Sequence, residues 1–247
     1  MLLCVLCGFV AVRMSISTNI AAIEERIHAA ARHAGRSPDE VSLMAVTKTH
    51  PPEKIREAYD AGLRLFGENR VQEFAEKSAA LADLTNAEWH MIGHLQSNKA
   101  AKAAELFKAI DSVDSLKLAE RLNNTALAVE KKLAVLLEIN VGGEAAKSGV
   151  AIDSPELDDL LKAAPRLEAL EFRGLMTVPP YTEISEDARL FFRRLRDLRD
   201  TIAARKLPSI SMDVLSMGMS HDFEVAIKEG STCVRVGTAI FGEREKP

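Results

Sequence analysis

The sequence predicts an α/β fold, a single (β/α)8 TIM barrel with an extra helix at its start. Three observations carry this prediction: eight short apolar runs, amphipathic stretches of helical length between them, and no Pro-, Gly- or Ser-rich linker or low-complexity segment to break the alternation. Strands that alternate with helices pair in parallel, and eight such units in 247 residues match the size at which a barrel closes. An open, doubly wound sheet shows the same alternation, so the pattern alone leaves it as the alternative.

The chain begins with MLLCVLCGFVAVR, apolar for about a dozen residues. That is too short to span a bilayer, and no basic segment precedes it as in a signal peptide. Met14 is followed at once by a good helix start, so residues 1–13 are expected to be a non-native or disordered N-terminal extension and 14–247 one domain. From Ser17, Ile20, Ile23 and Ile27 recur at helical spacing, and Gly35 stops the helix after about Ala34. The strand candidates then follow at 41–46, 63–66, 88–92, 109–113, 133–141, 167–176, 210–216 and 232–236. Helices are expected at 53–61, 71–81, 98–106, 116–129, 155–164, 186–206 and 222–229. The Arg-rich helix of 186–206 has an apolar face of Phe191, Leu195, Leu198 and Ile202, with Arg193–Asp197 and Arg196–Asp200 as expected ion pairs. It therefore reads as a solvated barrel helix rather than a nucleic-acid or membrane element.

With 32 basic and 36 acidic residues, the net charge of -4 supplies no global field for nucleic acid or an anionic membrane. Three cysteines make no disulfide framework, which fits a reducing cytoplasm, and Cys233 reads as a small buried thiol. Cys4 and Cys7 form a CxxC far from any βαβ context, so no redox or metal role is assigned to them.

A barrel carries its functional residues at the C-terminal ends of its strands and often holds phosphate in the loops after strands seven and eight. By that rule one rim collects Lys48, Asn69, His94, Gln96, Met176, the segment SMGMS from Ser216, and Gly237 with Thr238. Lys48 ends an apolar run, and an amine so placed condenses with a carbonyl if the site lowers its pKa. Ser216, Met217 and Gly218, and then Gly237 and Thr238, supply small residues whose backbone N–H groups approach an anion. An amine with two phosphate-sized nests describes a site for a phosphorylated aldehyde, for which pyridoxal 5'-phosphate (PLP) is the candidate. Arg235 lies inside an apolar strand, where its charge requires an acceptor: a pyridine nitrogen, or a barrel carboxylate such as Glu68 or Glu138. His90 and His94 have no evident third ligand, so no metal site is expected.

AVTKTHP, LFGENRVQE, WHMIGHLQSNK, FRGLMTVPP, LSMGMSHDFEVAI and GSTCVRVGTAIFG occur in this order, and together they resemble the PLP homeostasis protein family from about Met14 to Gly242. The resemblance implies a barrel like the N-terminal domain of alanine racemase and a PLP cofactor held covalently by Lys48 as an internal aldimine. It also implies Arg235 at the pyridine nitrogen, Ser216, Gly218, Gly237 and Thr238 at the phosphate with Met217 adjoining, and Asn69 and Met176 lining the ring. His94 and Gln96 belong to the family motif without an assigned role.

The family is understood as a binder that takes part in vitamin B6 homeostasis and supply, so no catalytic residue is expected. Two-base racemisation needs a second acid/base group, which alanine racemases take from a tyrosine in an additional domain. Here the chain ends soon after the eighth strand, and Tyr59 and Tyr181 fall in a helix and a loop. The expectation is a monomeric, cytoplasmic PLP carrier with apo PLP-dependent enzymes as recipients and neither nucleic acid nor membrane as partner. A weak PLP-dependent racemase, or less favourably a Schiff-base aldolase, is the alternative.

Overall fold

Helix α1 (Ile16–His33) starts where the Ser15 hydroxyl accepts the Thr18 N–H, and it buries Ile20, Ile23 and Ile27 as one stripe. A computed structural model describes residues 15–144 and 147–243. The expectations for residues 1–13 and for Cys4 and Cys7 lie outside the described residues. After α1 the chain alternates as β1 (Ser42–Val46), α2 (Pro52–Asp60), β2 (Leu65–Glu68), α3 (Val71–Ser78), β3 (Glu88–Met91), α4 (Ala100–Leu106) and β4 (Ala109–Val113). It continues as α5 (Leu116–Ala128), β5 (Leu133–Asn140), β6 (Val150–Ala151), α6 (Pro155–Ala163), β7 (Leu170–Met176), α7 (Arg189–Ala204), β8 (Ile210–Met219), α8 (Phe223–Lys228), β9 (Cys233–Val236) and α9 (Thr238–Phe241).

Every strand pairing is parallel, in the order β4-β3-β2-β1-β9-β8-β7-β5, and a β4–β5 pairing closes the ring. The open-sheet alternative is thereby excluded. The two-residue β6 pairs with β5 alone and adds no stave to the barrel. Burial is complete in β4, all five residues of which are buried, Asp111 and Ser112 included, while the first half of β7 alternates buried and exposed positions. Helix α1 packs on α2, α8 and α9, covering the sector where the four-residue α9 is too short to serve as the eighth barrel helix.

Three expectations change. The strand expected to end at 216 runs on to Met219, because Ser216 pairs with Cys233 while Met219 pairs with Arg235, and the bulge between them absorbs an extra residue. In α7 the fully buried residues are Phe192, Leu195 and Ile202, with Phe191 and Leu198 at the flanks. Its arginines do not form the expected pairs: Arg189, Arg193 and Arg196 converge on the buried Glu229, at 2.5, 3.3 and 2.7 Å. A carboxylate removed from water attracts cations more strongly than an exposed aspartate one turn away. Among the described residues, no helix is long and apolar enough to cross a membrane.

Candidate functional site

Strand register decides which predicted residues meet. Met44 and Ala45 of β1 lie beside Arg235 and Val236 of β9, and a Cβ built on Gly237 would come 3.3 Å from the Val46 carbonyl oxygen. Lys48, two residues beyond Val46, therefore leaves the barrel at the same end as Gly237 and Thr238. On the other side of β9, Glu138, Met176 and Ser216 share one level across β5, β7 and β8. The loop after β2 joins the same rim: Gly93 sits against the Asn69 backbone so closely that a Cβ there would lie 2.4 Å from the Asn69 carbonyl. Only glycine permits that approach.

Lys48 is partly buried in a tight turn, and the next residue, Thr49, has φ of 66°. A β-branched residue in the left-handed region is a genuine outlier that its surroundings must hold in place. Those surroundings come from α3 and the end of β2. The Thr49 N–H donates to Glu73, and the buried Lys77 ammonium donates to Glu73 at 2.9 Å and pairs with Glu68 at 2.8 Å. Burial pushes the Glu68 carboxyl up, with Lys77 and the Thr47 hydroxyl opposing. Burial also disfavours charge on Glu73, yet the Thr49 N–H, Lys77 and Arg70 outweigh it and hold that carboxyl below its usual range.

Arg235 is buried, as its strand position predicted, but it pairs with neither Glu68 nor Glu138. Its guanidinium donates to the Ser216 hydroxyl and to the Thr177 carbonyl, both at 2.7 Å. Burial lowers its pKa, while the fields of Cys233, Asp111, Glu138 and Asp222 favour its charge from a distance. Ser216, Met217 and Gly218 are buried, and Gly237 and the exposed Thr238 reach the surface of the rim. Gly218 has φ of 94°, and a Cβ there would meet Ala226 Cβ at 2.6 Å, so the small residue is required twice over. The expected nest is part strand: the Met219 N–H already donates to the Asp222 carboxylate at 2.7 Å. Met176 is fully buried on its strand.

His94 is exposed and pairs with Asp114 at 3.0 Å, while His90 pairs with Asp111 at 3.1 Å inside the barrel, so the two histidines serve different carboxylates. Gln96 is exposed, and its carbonyl accepts the Lys99 N–H. Among the described residues, no group of three His, Cys, Asp or Glu side chains is arranged to hold a metal. Burial pushes the Cys233 thiol up to about 12, which leaves it an inert core group. Tyr59 lies on the outer helix α2, whereas Tyr181, on the loop after β7, stands 80% exposed with its ring 5.9 Å from that of His221.

Among the described residues, four buried side-chain polar atoms have no partner, and three of them, Glu68 Oε2, Asn69 Oδ1 and Glu138 Oε2, belong to this end of the barrel. Folded proteins leave few such atoms, and their position at this end is compatible with a small polar group bound there. The donor set fits PLP: an amine at the mouth, a buried guanidinium beneath it and small residues for an anion. Glu68, Glu138, Lys77 and Thr177 also stand at this end, beyond the residues expected there from the sequence. The one available signal was charge inside apolar runs, as in FGEN and LLEIN.

A family model, described as the N-terminal domain of alanine racemase, matches residues 18–245. The chain is 45% identical to the pyridoxal phosphate homeostasis protein of Aquifex aeolicus over 94% of this chain and 100% of the relative. To the protein of that name in Pseudomonas aeruginosa it is 47% identical, over 94% and 96% of the two chains. Among solved structures it superposes on PipY of Synechococcus elongatus with a TM-score of 0.81 without PLP and 0.78 with PLP bound, covering 92% of this chain and 100% of PipY at 38% and 37% identity.

Proposed function

Because the chain belongs to the pyridoxal phosphate homeostasis proteins, built on the alanine racemase N-terminal domain, we propose that it binds PLP through a Schiff base with Lys48 and serves as a cytoplasmic carrier in vitamin B6 homeostasis rather than as a catalyst. The observation that carries this reading is the convergence of Lys48, Arg235 and Gly237–Thr238 on one barrel end, fixed by the β1–β9 register. The PLP bound by PipY, which is alike over nearly its whole length, supports it.

Bound PLP supplies an aldehyde carbon that condenses with an amine and a ring that withdraws electrons. The residues here determine how far that chemistry goes. Lys48 supplies the amine. Gly218, Gly237 and Thr238, with Ser216 and Met217 beneath, cradle the phosphate through backbone donors. Arg235, pinned by Ser216 and Thr177, directs a permanent positive charge at the pyridine nitrogen and keeps a proton off it. That makes the ring a weaker electron sink than one paired with a carboxylate. Asn69 and Met176 line the ring.

Apo PLP-dependent enzymes are the recipients in this reading, and the carrier acts as a monomer. One observation favours weak catalysis instead: the Tyr181–His221 ring pair stands on the same rim and resembles an acid/base couple. The 80% exposure of Tyr181 argues against a fixed proton donor. The deciding experiment is PLP titration followed by borohydride reduction and peptide mapping. The expected product is PLP fixed to the peptide bearing Lys48, with no sustained α-proton exchange when a panel of amino acids is offered in deuterated water. Fixation elsewhere defeats the site; sustained exchange defeats the carrier. A colourless protein that traps a sugar phosphate would instead be an aldolase.

A further inference from the structure

The turn carrying Lys48 is held by a buried device that the cofactor chemistry does not itself require. Lys77 lies on the inner face of α3, 7% exposed, and its ammonium has four oxygens within reach. Two are carboxylate oxygens, Glu68 Oε1 at 2.8 Å and Glu73 Oε1 at 2.9 Å; two are main-chain carbonyls, Thr47 at 3.0 Å and His50 at 3.2 Å. Those carbonyls bracket Lys48 and Thr49. Glu68 Oε1 also accepts the Thr47 hydroxyl at 2.6 Å, and Glu73 accepts the Thr49 N–H. One cation and two carboxylates thus hold the backbone before, within and after a two-residue turn whose second member has φ of 66°.

We propose that Lys77, acting with Glu68 and Glu73, is the positioning residue that holds the Lys48–Thr49 turn so that the Lys48 side chain points into the barrel mouth. The inference rests on the reading of Lys48 given above. Its physical basis is that a strained turn persists only where its surroundings over-determine it. A buried ammonium is a strong organiser of carbonyls because each of its N–H groups must find an acceptor once water is excluded. The same contacts direct the hydrogens of Lys77 into protein acceptors, which separates the roles of two lysines that lie close together: one shapes the site and the other reacts in it.

The test compares wild type, Lys48→Ala, the paired variant Lys77→Met with Glu68→Gln, and Glu73→Gln, using PLP alone as the probe. The paired variant removes the cation together with the fully buried carboxylate it neutralises, and leaves the part-exposed Glu73 with the Thr49 N–H as its donor. Three quantities are read for each protein: the visible Schiff-base band as PLP is added, the pH midpoint of that band, and the peptide fixed by borohydride. Circular dichroism reports the fold separately. Expected is a folded paired variant whose Schiff-base equilibrium falls about tenfold, the equivalent of relaxing one strained backbone conformation, with a displaced pH midpoint. Glu73→Gln should move both in the same direction by a smaller factor, and it decides the matter if the paired variant does not fold. A folded paired variant, or failing that Glu73→Gln, with the wild-type band, midpoint and peptide would overturn the inference. Lys48→Ala keeps the two readings apart: a full wild-type band in that variant sinks the assignment of the reactive amine, and this inference with it.

Discussion

The two ends of the barrel are built differently. At the N-terminal end a cavity of about 510 Å³ is lined by charged and polar side chains such as Glu88, His90, Asp111, Arg173 and Asp213. Several of these are paired: His90 with Asp111 at 3.1 Å, Arg173 with Asp213 at 3.9 Å and with Glu171 at 4.0 Å. At the C-terminal end the structure instead holds a left-handed threonine, a left-handed glycine packed against Ala226, and three buried polar atoms without partners. The difference lies in backbone strain and in where buried polar atoms lack partners. Partnerless buried atoms are more numerous at the C-terminal end, three against Ser211 Oγ near the start of β8, and that is the end at which a ligand is proposed.

The comparison is most easily broken at Lys48. Lys48→Ala should abolish the Schiff-base band and borohydride fixation while leaving the fold intact by circular dichroism; a retained band would move the reactive amine elsewhere. Next in size is Arg235→Glu, which places a carboxylate near Glu138, Asp222 and Asp111 and strips Ser216 and Thr177 of their donor. Denaturant unfolding should show a loss of about 3–5 kcal/mol, the usual result of leaving a buried charge uncompensated. Any folded fraction should bind PLP with an altered spectrum, and an unchanged spectrum would place the guanidinium away from the ring.

Gly218→Ala should cost about 1–3 kcal/mol, since the backbone is left-handed and the new methyl group would press on Ala226 and Phe223. PLP affinity should fall with it, and an unaffected affinity would remove the bulge from the phosphate cradle. The smallest effect belongs to the other end. His90 is opposed by burial, but the attraction and hydrogen bond of Asp111, helped by Glu88, raise its pKa above 6.5. Its contribution to stability is therefore complete below pH 6.5 and is lost as pH rises through the raised value. His90→Gln should flatten that pH dependence in thermal melts without changing PLP binding; a changed affinity would show that the two ends are coupled.

Much of this was legible in the sequence because the relevant signals are local. The apolar alternation located the strands to within a few residues, and the barrel rule then put Lys48, Asn69, Gly237 and Thr238 on one rim. What escaped notice depends on contacts between distant segments. VQEFAEKS reads as an ordinary amphipathic helix, and nothing in it announces that Lys77 turns inward to meet carbonyls some thirty residues earlier. The convergence of three arginines on Glu229 was hidden likewise, since nearer aspartates at helical spacing offered an equally good local partner. The extension of β8 to Met219 depends on where β9 makes its pairs, and a strand end read from one segment carries no such information.

The placement of α1 against α2, α8 and α9 has a consequence for biosynthesis. The first helix leaves the ribosome early but finds two of its packing partners only when the last segments emerge, so the ring closes late and through contacts distant in sequence. Lys48 is translated long before Gly218 and Thr238. If these residues act as proposed, a nascent chain carries the amine without the anion cradle, and cofactor loading is reserved for completed molecules. Ribosome-arrested chains stopped ahead of β8 should stay colourless in excess PLP, and a yellow arrested chain would show that the amine is competent without the closed ring.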